Sequence, residues 1–240
     1  ASDVYKRQPP NLELGPTSPA TVFETLKNFT PKSSLDIDGL STKLLKQIAQ
    51  VICVPLSHIY NLSINQGIFP TKFKISRTIP IFKSGNPELC DNYRPISLLS
   101  SLSKILEKHV AIQLTNHLEL NNLLYEHQYG FQKGKSTEHN LIHLTNYVYK
   151  ALNEKNFCLG LFLDLRKAFD VCSHEILAKK LPKYGITGTT LDWFTSYLKD
   201  RQQKVEINGS LSSTKLFNIS VIQGSILGPI LFLCYIYQSR

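Results

Sequence analysis

A single aspartate interrupts the most apolar stretch in the middle of the chain. Phe157-Cys158-Leu159-Gly160-Leu161-Phe162-Leu163-Asp164-Leu165 lies between the polar residues Asn156 and Arg166. That length and those borders predict a buried strand, and with it a sheet that must be covered by helices. On a strand, Asp164 points away from the face shared by Leu163 and Leu165. An ionised carboxylate at the edge of an apolar layer needs compensation. Two kinds of partner suit it: the adjacent cations Arg166 and Lys167, or a divalent ion. Mg²⁺ is commonly held by one or two carboxylates together with substrate phosphates, which matches a carboxylate at a strand end. The residues of this stretch leave both readings open.

The rest of the chain reads as helices in the first part and a strand–helix–helix–hairpin–helix unit in the second. Helices are expected over residues 21–29, 40–65 (interrupted at Pro55), 103–119 and 137–153, from apolar residues at helical spacing. Arg77 to Phe82 is a short β-type run ended by the turn Ser84-Gly85-Asn86-Pro87. Ser173 is positioned to cap a helix from His174 to Tyr184 that ends in lysines and Gly185. Thr189-x-x-Asp192 suggests a capping box for the helix carrying Trp193 and Tyr197. Lys204 to Ile207, Asn208-Gly209 and Lys215 to Ile222 predict a hairpin, and an apolar helix follows Gln223-Gly224-Ser225. This is an α+β pattern in two lobes, with a boundary expected near residue 155.

Composition narrows the class of partner. Twenty-seven basic and 18 acidic side chains leave a net +9. The first 120 residues hold 13 basic and 9 acidic side chains and the second 120 hold 14 and 9, so the excess is diffuse rather than a tail. A diffuse positive surface favours a polyanionic partner. The apolar stretch Ile226–Tyr237 has only 12 residues and contains Gly228 and Pro229, too short to span a bilayer. The five cysteines form no C-x-x-C spacing, as expected of a reduced, intracellular protein. Residues 1–20 hold four of the 12 prolines and are expected to be extended or disordered. Within them, Asp3 to Gln8 looks like a translated library adapter.

Six blocks in order then point to a family. They are Pro80-Ile81-Phe82-Lys83-Ser84-Gly85 with Asn92-Tyr93-Arg94-Pro95-Ile96-Ser97-Leu98-Leu99; Ser103-Lys104-Ile105-Leu106-Glu107-Lys108; and Gln128 to Thr137 (QYGFQKGKST). After these come Asp164-Leu165-Arg166-Lys167-Ala168-Phe169-Asp170 with Ser173-His174-Glu175; Leu191 to Val205; and Gln223-Gly224-Ser225-Ile226-Leu227-Gly228-Pro229. Together they resemble reverse transcriptases of non-LTR (LINE-type) retrotransposons, over roughly residues 30–237.

The resemblance implies a right-hand polymerase made of fingers and a partial palm, with an antiparallel palm sheet and packed helices. Residues 21–75 would be a helical N-terminal extension, 76–155 the fingers and 156–240 the palm. It implies RNA-directed DNA synthesis: dNTPs joined to a DNA primer on an RNA template, by two-metal phosphoryl transfer with Mg²⁺ or Mn²⁺. Asp164 would ligate the metal and Leu165 would offer its backbone carbonyl. Phe169 would gate the sugar, and Lys133, Lys135 and Gln223 would hold the dNTP. Arg94, Gly224 and Ser225 would face template or primer. Asp170 is expected to be structural, paired with Lys167 or capping the next turn, and His174 a helix-start residue. Ser220 and Ile222 stand where the family usually has Gly and Pro. A further Asp-Asp hairpin belongs to the family pattern; the sequence instead reads Tyr237-Gln238-Ser239-Arg240, so the chain alone is expected not to polymerise. Endonuclease and thumb domains of the parent polyprotein are expected elsewhere, in a cytoplasmic ribonucleoprotein and the nucleus. Competing readings are a non-catalytic relic that at most binds RNA, and a group II intron-type maturase.

Overall fold

A helical layer comes first in the chain and supplies one part of a core that later helices complete. The computed structural model describes residues 9–237; the adapter-like reading of Asp3 to Gln8 falls outside that range. α1 (Pro19–Lys27) starts on Ser18, whose hydroxyl accepts from the Thr21 N–H. α2 (Thr42–Gln47) starts the same way on Ser41. α3 (Ala49–Gln66) contains Pro55 and ends on Gly67 in the left-handed region. The expected interruption at Pro55 is thus corrected: the break falls at Ile48. Pro55 removes the N–H that would reach the Val51 carbonyl, and both residues face water, where that carbonyl is solvated.

The stretch before α1 is extended but packed. Leu12 is buried in the core and its N–H donates to the Gly185 carbonyl at 2.8 Å. Gly185 has φ +77°, and a Cβ there would lie 2.2 Å from the Pro10 carbonyl oxygen, so a side chain at this crossing would displace the strap.

A sheet carries the next part of the chain. β1 (Ile75–Phe82) pairs antiparallel with β2 (Tyr93–Leu98), in register Thr78↔Ser97 and Ile81↔Arg94. α4 (Ser101–Leu120) and α5 (Thr137–Asn153) follow, then α6 (His174–Lys180), capped by Ser173 and continued by a 3₁₀ turn to Tyr184. α7 (Gly188–Leu198) begins at Thr187 with no side-chain cap, so the expected capping box from Thr189 to Asp192 does not form. β3 (Arg201–Ile207) pairs parallel with β1 and antiparallel with β4 (Ser210–Leu211) and β5 (Lys215–Phe217). Asn208 and Gly209 both have positive φ, as a tight hairpin turn requires. α8 (Gly228–Ile236) closes the described chain. The sheet is therefore mixed, where an antiparallel one was expected, and its central β1–β3 pair joins residues from both sides of the expected boundary near 155.

The largest correction concerns Phe157–Leu165. It forms no strand, and Leu161, Phe162 and Leu163 are 81–84% exposed. The sheet forms without it. β1 is flanked by β2 and β3, and β3 by β1 on one side and β4 and β5 on the other, so neither central strand has an open edge. Apolar composition marks a segment able to be a strand; a pairing partner makes it one.

Beneath the sheet, Trp193 stacks on Tyr197 and meets Phe69 edge-on at 5.4 Å, with its indole N–H donating to Ser63. The buried Arg201 guanidinium lies 4.2 Å over the Tyr197 ring.

Candidate active site

Three segments converge: the loop 164–172, strand β2 and the turn 220–228. The turn is tied to the loop by backbone bonds from Ser220 N–H to the Cys172 carbonyl (2.8 Å) and from Val221 N–H to the Phe169 carbonyl (2.9 Å). It is tied to β2 by the Ser97 N–H donating to the Gln223 carbonyl at 3.0 Å. Gly224 has φ +110°, and a Cβ there would sit 2.6 Å from the Ser97 carbonyl oxygen. The close approach that Gly224 permits is therefore to β2 itself. Ser225 is buried; its hydroxyl donates to the Ile222 carbonyl and accepts from the Gly228 N–H, so it faces inward rather than toward a template.

Glu107, fully buried on α4, anchors this turn from across the molecule. Its carboxylate accepts from the Ile226 N–H (2.9 Å), the Leu227 N–H (3.4 Å), the Tyr197 hydroxyl (3.4 Å) and the Ser103 hydroxyl (3.1 Å). Two of these are open N–H groups at the start of α8, where an acceptor is favoured by the helix dipole. Sequence reading passed over Glu107 as one more polar residue of a helix. Its place in the second block, Ser103 to Lys108, was the available signal.

Ser220 has φ +99°, a region that glycine adopts freely and L-residues rarely do. Its strain is held by neighbours: the His174 ring contacts the Ser220 carbonyl at 2.7 Å through Nε2. Burial holds the His174 imidazole below its ordinary value, opposed by that hydrogen bond and reinforced by the Arg201 charge. His174 is thus a helix-start residue that also fastens the turn.

Around Asp164 the loop turns the neighbouring cations toward another carboxylate. Arg166 Nη2 and Lys167 Nζ lie 3.0 and 2.7 Å from the two carboxylate oxygens of Asp91, in the turn between β1 and β2. The cations that would have neutralised Asp164 are engaged elsewhere, and they hold the Asp91 carboxyl below the usual carboxylate range, the Lys167 hydrogen bond first. Asp164 is exposed and takes part in no ion pair or side-chain hydrogen bond among the described residues. Asp170 pairs with Gln223, whose side-chain N–H₂ donates to Oδ1 at 3.2 Å, and not with Lys167.

Phe169 stacks on Phe232 with centroids 4.8 Å apart and meets Phe131 edge-on at 5.7 Å. Phe131 belongs to the loop 128–135, so this aromatic contact joins that loop to the 164–170 segment. In the same loop, the Lys135 ammonium donates to the Glu126 carbonyl at 2.6 Å and lies over the Tyr129 ring, while Lys133 is exposed. Arg94 is exposed on β2, three residues before Ser97.

A family match accompanies this geometry. The profile described as "Reverse transcriptase (RNA-dependent DNA polymerase)" matches residues 81–239. The chain belongs to the reverse transcriptase family. It is 34% identical over 229 residues to the probable RNA-directed DNA polymerase from transposon BS of Drosophila melanogaster, covering 92% of this chain and 24% of that protein. It is 30% identical to the probable RNA-directed DNA polymerase from transposon X-element of the same species, with 94% and 25% coverage. It is 31% identical to the RNA-directed DNA polymerase from mobile element jockey, also of Drosophila melanogaster, with 89% and 24% coverage. The chain thus spans about a quarter of the length of these curated relatives, and the expected kinship with non-LTR retrotransposon polymerases holds.

Within this reverse transcriptase domain, the residues suit part of a metal site. An exposed, unpaired Asp164 carboxylate beside the Leu165 carbonyl is the oxygen chemistry that Mg²⁺ or Mn²⁺ prefers. Among the described residues, no group of three or more His, Cys, Asp or Glu side chains is arranged to hold a metal. All five cysteines are free, and burial pushes the Cys172 and Cys234 thiols up to about 11 and about 12. No helix among the described residues is long and apolar enough to cross a membrane.

Proposed function

We propose that this chain provides the fingers and part of the palm of an RNA-directed DNA polymerase that adds dNTPs to a DNA primer on an RNA template. The observation that carries this reading is the release of Asp164 from its neighbouring cations, in a loop tied to the Gln223 turn. Asp164 and the Leu165 carbonyl would hold a divalent ion, which supplies charge stabilisation for the attacking and leaving oxygens. Phe169, held by Phe131 and Phe232, would be the ring against which a ribose 2′-hydroxyl clashes. The Gln223 amide is oriented by Asp170 toward the same loop. Arg94, Lys133 and Lys135 add positive charge for template and triphosphate, and Gly224 lets β2 and the turn pack without a gap. Ser225 acts by shaping the turn.

Asp164 is the one metal carboxylate that the resemblance assigns within these 240 residues, so the chain by itself is proposed not to extend a primer. The endonuclease and thumb of a parent polyprotein, and its passage from a cytoplasmic ribonucleoprotein to the nucleus, belong to the same proposal. The test is primer extension on an RNA template with Mg²⁺ by the parent polypeptide. Extension abolished by Asp164→Asn supports the reading; extension unchanged by it refutes the role of Asp164.

A further inference from the structure

We infer that Phe157–Leu165 is a self-association surface whose occupant is the same run of a second copy of this chain. The two runs pair as antiparallel strands about a two-fold axis at Leu161. The run has the composition of a buried strand and none of its bonds. Among the described residues, 157–165 make no backbone hydrogen bond, and Phe157, Leu159 and Leu161 are 104%, 97% and 81% exposed. Unpaired N–H and C=O groups flanked by apolar side chains are a template for another strand. The sheet of the same copy is complete without the run, from β1 to β5.

The area suits a dimer contact. Phe157 and Phe162 alone expose roughly 300–450 Å². With Leu159, Leu161, Leu163 and Leu165, the run offers on the order of the 800 Å² that each partner of a standard interface buries. Two strands alone are marginal in water and need a covering element. α5 ends at Asn153, just before the run, and carries the exposed Leu141 and Leu152 on one side, about three turns apart. This stripe covers the apolar face of the paired runs. A helix that buries nothing in one copy thereby gains a surface to pack on.

The residues choose the register. On a strand, Phe157, Leu159, Leu161, Leu163 and Leu165 share one face. Parallel in-register pairing sets Asp164 directly against Asp164, which like charge disfavours. Antiparallel pairing about Gly160 sets glycine on glycine and Leu165 against Lys155. Antiparallel pairing about Leu161 matches Phe157 to Leu165 and Leu159 to Leu163, and lays Phe162 across Gly160. It also parts the two Asp164 carboxylates by about 20 Å, one at each end of the paired runs. The contact is self-complementary, as a two-fold interface must be.

The test is sedimentation velocity of the nuclease-treated chain over a range of concentrations in reducing buffer, where a monomer–dimer equilibrium is expected. Leu161→Lys, which sets two ammonium groups together on the axis, should weaken the dimer about tenfold or more. Leu120→Lys, at an equally exposed leucine ending α4, should leave it unchanged, and circular dichroism checks that both variants are folded. Added salt should tighten the dimer, because each copy carries a net +9; weakening by salt would point to bridging nucleic acid instead and overturn the assignment. Cross-linking reads the register. In a Cys90→Ser/Cys158→Ser background, mild oxidation should link Leu161→Cys to itself, since the axis brings the two Cα atoms to about 5 Å. Phe157→Cys should not link to itself, its two copies lying about 27 Å apart, whereas a mixture of Leu159→Cys and Leu163→Cys chains should link. A monomer at every concentration, open-ended aggregates, equal losses in the two lysine variants or a self-linked Phe157→Cys overturns the assignment.

Discussion

α4 and α5 are similar helices in opposite circumstances. They have 20 and 17 residues, and both carry apolar side chains at helical spacing. α4 buries ten residues, including Ile105, Leu106, Val110 and Leu114. α5 buries none, and Leu141, Ile142, Leu144, Tyr147, Tyr149 and Leu152 are all exposed. α5 even has the better-formed start, with a capping box in which Ser136 and His139 each satisfy the other's backbone. Local signals thus make a helix in both places. Burial of its stripe is a separate event that needs a surface to pack on.

The sharpest way to break this comparison is a matched pair of truncations. Leu106→Ala, at a fully buried site, should cost about 3 kcal/mol of unfolding free energy. Leu144→Ala, at a site 42% exposed, should cost less than about 0.5 kcal/mol. Similar losses in urea titrations would mean that α5 is packed after all.

Next in size is the polar anchor on α4. Glu107→Leu should cost about 2 kcal/mol, since it removes the acceptor and leaves the Ile226 and Leu227 N–H groups without a partner. The loss should appear as faster amide exchange at Ile226 and Leu227, with little change in α5.

A substitution on the packed side should act in the opposite direction. Ser220→Gly relieves a left-handed backbone and should stabilise the chain by about 1 kcal/mol, read as a higher Tm. A fall in Tm would show that the bond from the Ser220 hydroxyl to the Val221 carbonyl outweighs the strain.

The smallest effect is a pH dependence. Because burial lowers the His174 value in the fold, the unfolded chain takes up a proton first as pH falls through about 6.5. The stability that comes from keeping this ring neutral is present above that pH and is lost below it. Wild type should lose up to about 1 kcal/mol per pH unit there through this group, a slope that His174→Gln should reduce.

Much of this was legible before any coordinates. Ser173 was read as a helix cap because a hydroxyl in an extended residue satisfies a nearby N–H within four residues, and Ser18, Ser41 and Ser136 prove to follow the same local rule. Asn208-Gly209 made a hairpin for an equally local reason. The order of the motif blocks assigned the family. Illegible was anything that depends on a distant partner: the Glu107 anchor 119 residues from the N–H it accepts, and the Asp91 carboxylate that takes Arg166 and Lys167 from Asp164. The Asp170–Gln223 pair, 53 residues apart, is of the same kind.

Phe157–Leu165 marks the dividing line. Sequence by itself determined that this run is apolar, that an aspartate sits near its end, and that six ordered blocks surround it. Tertiary structure alone decided that the run is exposed, that the sheet is mixed, and that the aspartate stands unpaired. The physical reason is that composition and periodicity report what a segment prefers as its environment. The environment itself is assembled by non-local pairing, and here the sheet forms from β1 to β5 without this run.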